Sequence, residues 1–221
     1  MKTIPEENLN SVFAIESLRS GIPTRISTRE LPDLRKDIIS KTREDLEKFQ
    51  NGEIPQGRLI WGQYGQGKTH LLTMVEHIAL DMNFAVSRVS LSREVSCHNL
   101  FKFYTRVAPR IRTPGSSAYG IHRILLQRNS SDLPATPIQN FDRYIHSLPA
   151  SIFETFFFTD GEEQHALYSD LMGIKVSLGE FKRIYRRSSP AVVLPKFDTF
   201  KQTKHATAYF VLLSDVTKFC F

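Results

Sequence analysis

Cysteine is scarce in this chain, and long apolar runs are missing. The 221 residues hold only Cys97 and Cys220, too few for a disulfide framework and without the spacing of a zinc site. No apolar stretch approaches the ~18 to 20 residues that a membrane-crossing helix needs. The opening Met1-Lys2-Thr3-Ile4-Pro5-Glu6-Glu7 has no apolar signal core, so a cytoplasmic protein without membrane contact is expected. There is no internal repeat or low-complexity tract. The histidines at 70, 77, 98, 122, 146, 165 and 205 are scattered without ligand spacing, and no nucleophile, base and orienting group can be assembled. What remains is an ordinary globular composition, 41% hydrophobic and 24% charged, in a chain long enough to bury a core as one large domain or two small ones.

One stretch carries chemistry. Gly62-Gln63-Tyr64-Gly65-Gln66-Gly67-Lys68-Thr69 fits the phosphate-binding pattern of Gly, four residues, Gly-Lys-Ser/Thr. Glycines let such a backbone curl so that successive N–H groups point at phosphates, and the following helix adds its partial positive charge. Lys68 would reach the terminal phosphates, and the Thr69 hydroxyl would hold a Mg²⁺ that keeps several of its waters. The bland alternative is a glycine-rich turn beside a solvated lysine.

The flanks support the sharper reading. Arg58-Leu59-Ile60-Trp61 reads as a short buried strand, continuous rather than alternating in apolar character, as at the centre of a parallel sheet. After the loop, Leu71, Leu72, Val75, Ile78, Ala79 and Met82 share a helical face up to Asn83. Phe84–Leu91 then reads as a second strand. Upstream, a helix from about Pro5 ends at Gly21, with Leu9, Val12, Phe13 and Glu16 on one face, and a long second helix capped by Ser27 or Thr28 runs to Phe49. Downstream, a helix through Leu100, Phe103, Tyr104 and Val107 stops at Pro109, and residues 109–137 are loop-rich with a short helix near Ile121, Ile124 and Leu125. Two capping boxes, Asp160 with Glu163 and Ser177 with Glu180, open further helices. Ala191–Leu194 is extended between prolines, and a last helix from Thr203 carries Ala208, Tyr209, Leu212 and Val216 at helical spacing. The expected fold is α/β: a helical lead over 1–56, a phosphate-loop core over 57–108 and a helical region over 109–221.

A phosphate-loop enzyme that hydrolyses its nucleotide also needs a strand ending in acids, one to order the Mg²⁺ waters and one to activate the attacking water. Asp160 after Phe156-Phe157-Phe158-Thr159 imitates it but is better explained as a helix cap. Asp215 after Val211-Leu212-Leu213-Ser214 imitates it within a helical pattern. The reading is that this chain has no acidic strand: it can hold a nucleotide but lacks the group that activates water. A guanine-specific motif is also missing, which argues against a GTPase.

The charge is uneven. Residues 81–130 carry Arg88, Arg93, Lys102, Arg106, Arg110, Arg112, Arg123 and Arg128 against Asp81 and Glu94, matching the +6 of the whole chain. A second reading follows, a non-enzymatic DNA-associated or scaffold subunit that uses this segment, Arg106, Arg110 and Arg112 above all, to meet phosphates. A solvated basic face is the bland version.

Several runs together resemble the ATP-binding proteins of bacteriophage exclusion (BREX) defence systems, of the AAA+ lineage: Gly21-Ile22-Pro23-Thr24-Arg25, Leu59–Leu72, Val86-Ser87-Arg88-Val89, His98-Asn99-Leu100, and Leu167–Gly173 through Arg183–Arg187. The resemblance implies an AAA+-like core with ATP and Mg²⁺ held by Gly62–Thr69 together with His70, and Ile22, Pro23 and Arg25 near the adenine. It also implies protein partners within a defence complex. In that family the acidic strand follows a helix similar to Thr203–Phe219, so the expectation is an N-terminal fragment of a longer ATPase whose parallel sheet is incomplete.

Overall fold

The computed structural model describes residues 6–21, 24–30, 35–93, 95, 97–116, 118–128, 146–188 and 196–220. The chain forms two compact units, Met1–Val86 and Ser87–Phe221. Among the described residues no helix is long and apolar enough to cross a membrane.

Among its described residues the first unit has four helices, α1 (Glu6–Ser20), α2 (Arg25–Glu30), α3 (Lys36–Gln50) and α4 (Lys68–Asp81). Gly21 ends α1 at φ +67°, as the sequence suggests. Its apolar face does not go inward, however. Val12, Phe13 and Ile15 are exposed, while Ala14 and Ser17 on the other side are buried where α1 packs on α2. The polar pattern explains this: Ser17 Oγ donates to Ser27 Oγ at 3.0 Å, so the hydroxyl face has partners. The single long helix expected after Ser27 is two helices, with Pro32, which disfavours a helix interior, between them in sequence. Thr24 is the capping residue. Ser27 N–H donates to Thr24 Oγ1 at 3.1 Å and Thr24 N–H to Ser27 Oγ at 2.9 Å, a reciprocal pair that satisfies two orphan donors.

α3 and α4 pack side by side and run in the same direction. At one end Arg35, just before α3, reaches Gln66, just before Gly67 and α4. At the other, Gln50 Nε2 donates to Met82 O at 3.1 Å. Asn83 at φ +65° closes α4, with Phe84 N–H donating to Ala79 O at 2.8 Å. That is a Schellman ending with asparagine in the left-handed position.

Arg58–Trp61, expected as a buried strand, has no regular structure, and Leu59 and Trp61 are 89% and 86% exposed. Apolar continuity marks a segment that favours burial between two neighbours, and none of the described strands pairs with it. The second expected strand is reduced to β1 (Val86–Ser87), paired with β2 (Ile111–Arg112) in a two-stranded sheet.

The second unit is helical: α5 (Leu100–Val107), a 3-10 turn at Ala108–Arg110, α6 (His122–Leu125), α7 (Leu148–Phe156), α8 (Gly161–Leu171), α9 (Leu178–Ser188) and α10 (Gln202–Cys220). α10 packs against α5 and α7, and α7 against α8 and α9. Aromatic rings fill the α5–α10 seam: Tyr104 lies 5.2 Å from Tyr209 and 5.1 Å from Phe210, and Phe101 lies 5.5 Å from Tyr209. Leu212 and Val216, both at most 1% exposed, contribute about 1.5–3 kcal/mol apiece. Asp170 is fully buried. Its carboxylate accepts from the Tyr209 hydroxyl and from Val176 N–H at 2.8 Å, with Lys175 Nζ at 3.4 Å. The Lys175 ammonium also rests 4.2 Å over the Phe200 ring. Ala191–Leu194 lies outside the described residues.

Candidate functional site

Gly62–Thr69 forms a tight loop whose geometry rests on its glycines. Gly65 and Gly67 have φ of +81° and +74°, a region that costs residues with a Cβ about 1–2 kcal/mol. Gly67 is the N-cap of α4, and no side chain caps that helix. The N–H groups of the first turn, Lys68, Thr69 and His70, therefore have no capping side chain and carry the positive end of the dipole. Lys68 folds back across the loop and donates from Nζ to Gly62 O at 2.8 Å and Gln63 O at 2.5 Å. Gln66 folds back as well, its Oε1 accepting from Gln63 N–H at 3.0 Å. It lies so close to Gly62 that a Cβ there would overlap it. Tyr64 and Thr69 are exposed, and Lys68 and His70 half-buried.

α2 is pinned to the middle and end of α4. Arg25 forms an ion pair with Glu76, and Arg29 reaches Asp81 at 3.2 Å. Between them His77 Nε2 meets Arg25 O at 3.2 Å, and Arg29 Nε donates to His77 Nδ1 at 3.3 Å. Arg25, which the resemblance places near the adenine, is thus engaged seven residues past Thr69, about 10 Å along the helix axis. Ile22 and Pro23 lie outside the described residues. Arg35 enters instead: its Nη2 donates to Gln66 O at 3.1 Å. Nothing in its local sequence signals this contact, which spans 31 positions and depends on α3 lying along α4.

Residues 7–129 match the family model of the BREX system ATP-binding protein BrxC/D. The chain belongs to that family. No curated protein and no solved structure matches it. The BrxC/D match takes in α1 to α4, the loop and α5 to α6, and ends before α7. ATP is the ligand for which the BrxC/D family is described.

The two candidate acids do not stand at strand ends. Phe156 is the last residue of α7, and Asp160 is the N-cap of α8, though its side chain makes no capping bond. Asp215 lies within α10. Among the described residues no group of three or more His, Cys, Asp or Glu could hold a metal ion by itself. In the basic segment Arg106 and Arg110 are exposed, while Arg112 is half-buried with its guanidinium 5.1 Å from the centre of the Tyr119 ring.

Proposed function

We propose that the chain binds ATP through Gly62–Thr69, with Lys68 on the terminal phosphates, Thr69 on Mg²⁺ and His70 in the helical turn beside them. We further propose that it hydrolyses little or no ATP by itself. The observation that carries the reading is the uncapped N-terminus of α4 behind two left-handed glycines, with Lys68 lying across the loop on two carbonyl oxygens. A phosphate group fits such a place: it offers acceptor oxygens to unsatisfied N–H groups and a better partner for the ammonium than neutral carbonyls. The Mg²⁺ would supply charge neutralisation on the phosphates. Little or no hydrolysis is expected from the positions of Asp160 and Asp215, neither of which follows a strand.

An AAA+-like phosphate-loop core remains the fold that this reading favours, with neighbouring strands needed beside Arg58–Trp61. Ile54, Leu59 and Trp61, each at least 86% exposed, support a protein partner within the defence system.

A thermal melt with Mg²⁺ and ATP tests the binding. At ~100 times the dissociation constant the folded chain gains about 2.7 kcal/mol, so the midpoint rises for the native chain and not for Lys68→Ala. No rise in the native chain would sink the reading. Phosphate release at the rate of the nucleotide alone is expected, and sustained turnover abolished in Lys68→Ala would defeat the hydrolysis part.

A further inference from the structure

We propose that Arg35 is a positioning residue of the phosphate loop, which holds the Gln66 carbonyl and so aims the Gly67 N–H into the space where the phosphates bind. This rests on nucleotide binding at Gly62–Thr69 as proposed above. The contact is direct: Arg35 Nη2 donates to Gln66 O at 3.1 Å. The Gln66 carbonyl and the Gly67 N–H belong to one planar peptide unit, and the chain has no cis bond among its described residues. In a trans peptide the two groups point in opposite directions. A donor that fixes the carbonyl on one side therefore fixes the N–H on the other.

This peptide unit has little else to hold it. A Cβ built on Gly65 or Gly67 would find nothing within 4 Å, so the space beside both residues is open. Glycine also accepts either hand of backbone at small cost. Turning the 66–67 peptide plane over would withdraw the Gly67 N–H and present a carbonyl lone pair to the phosphates, exchanging attraction for repulsion. The Gln66 side chain cannot prevent it, because its Oε1 is engaged with Gln63 N–H at 3.0 Å. Arg35 is itself held by its place at the start of α3, which lies along α4 and is tied to it at the far end by Gln50 and Met82.

Calorimetric titration of the full chain with Mg²⁺–ATP and Mg²⁺–ADP, using Arg35→Ala, Arg35→Lys and Lys68→Ala, tests the assignment together with ¹⁵N-resolved NMR of the Gly67 amide. Arg35→Ala is expected to weaken ATP and ADP by the same factor, about tenfold for one lost charge-linked hydrogen bond. Its nucleotide-free melting midpoint should stay unchanged, and its Gly67 amide should lose the nucleotide-induced shift. Arg35→Lys, which keeps a cationic donor, should recover most of the affinity. Native affinity for both nucleotides in Arg35→Ala overturns the proposal. So does a loss confined to ATP, which would place the guanidinium on the terminal phosphate. If Arg35→Ala lowers the nucleotide-free midpoint, Arg35→Lys decides: a native midpoint without recovered affinity counts against the clamp. If the native chain binds neither nucleotide, the binding reading fails and takes this proposal with it; retained binding in the native chain with no change in Arg35→Ala removes the clamp alone.

Discussion

His77 is engaged at both ring nitrogens, and the partners define its state. Nδ1 accepts from the Arg29 guanidinium, so Nε2 must carry the proton that faces Arg25 O. Burial holds its pKa below the ordinary histidine range, the Arg29 cation adds to that, and the Arg25 carbonyl opposes it. The unfolded chain therefore binds more protons than the folded one as pH falls through about 6.5, and stability is lost in that direction. His122 and His205 are shifted the same way, chiefly by burial. Urea unfolding at pH values from about 7.5 down to about 5 should show a falling midpoint, with a shallower fall in His77→Gln, whose amide can replace both contacts. Superimposable slopes for the two proteins would refute the assignment.

Asp170 is the second unit's most exacting side chain. Its burial is sustained by the Tyr209 hydroxyl, Val176 N–H and Lys175, while burial draws the Lys175 pKa down and Asp170 opposes that shift. Removing only the carboxylate leaves an ammonium among aromatic rings, so Asp170→Ala should cost about 3–5 kcal/mol. Asp170→Ala with Lys175→Met should cost less than Asp170→Ala alone, because no orphan charge remains. A double variant as unstable as the sum of the single ones would show that the two charges do not interact. Denaturant titration of the four proteins measures this.

Among the elements, α9 and α8 look alike in sequence, each opened by a capping box, yet they differ in structure. Ser177 Oγ accepts from Glu180 N–H at 3.1 Å, whereas Asp160 makes no capping bond and Glu163 is turned to Arg187 at 3.0 Å. Ser177→Ala should therefore cost about 1 kcal/mol and Asp160→Ala about half of that, the part due to charge near the helix dipole. Equal losses in denaturant midpoints would contradict the difference.

The same contrast explains what was legible in the residues. α4, α5, α8, α9 and α10 stand close to where periodicity and stop signals put them, because those signals are local and act within one turn. Arg58–Trp61 was not legible: apolar character says that a segment favours burial, while its strand state depends on neighbours elsewhere in the chain. Within the loop, the glycine geometry follows from the motif, whereas Lys68, expected on phosphates, lies on the Gly62 and Gln63 carbonyls. Arg35 does not follow from the motif, since its contact is created by the packing of α3 along α4.

On the scale of the whole molecule, the phosphate loop sits in one compact unit and the aromatic core in the other, and the BrxC/D match runs from the first into the second as far as residue 129. The net +6 is concentrated at 81–130, but Arg112 there is already stacked on Tyr119, which leaves Arg106 and Arg110 as its exposed cations in the trio named from sequence. The exposed apolar run before the loop has a practical consequence. Trp61 is the chain's single tryptophan, 86% exposed and one residue from Gly62. The protein thus carries its own optical probe at the mouth of the candidate site. Free, it should emit at the red, water-exposed end of the indole range and be quenched freely by acrylamide. ATP or a partner strand that orders Arg58–Trp61 should shift the emission to the blue and protect it, and emission already blue in the free chain would show that this segment is covered.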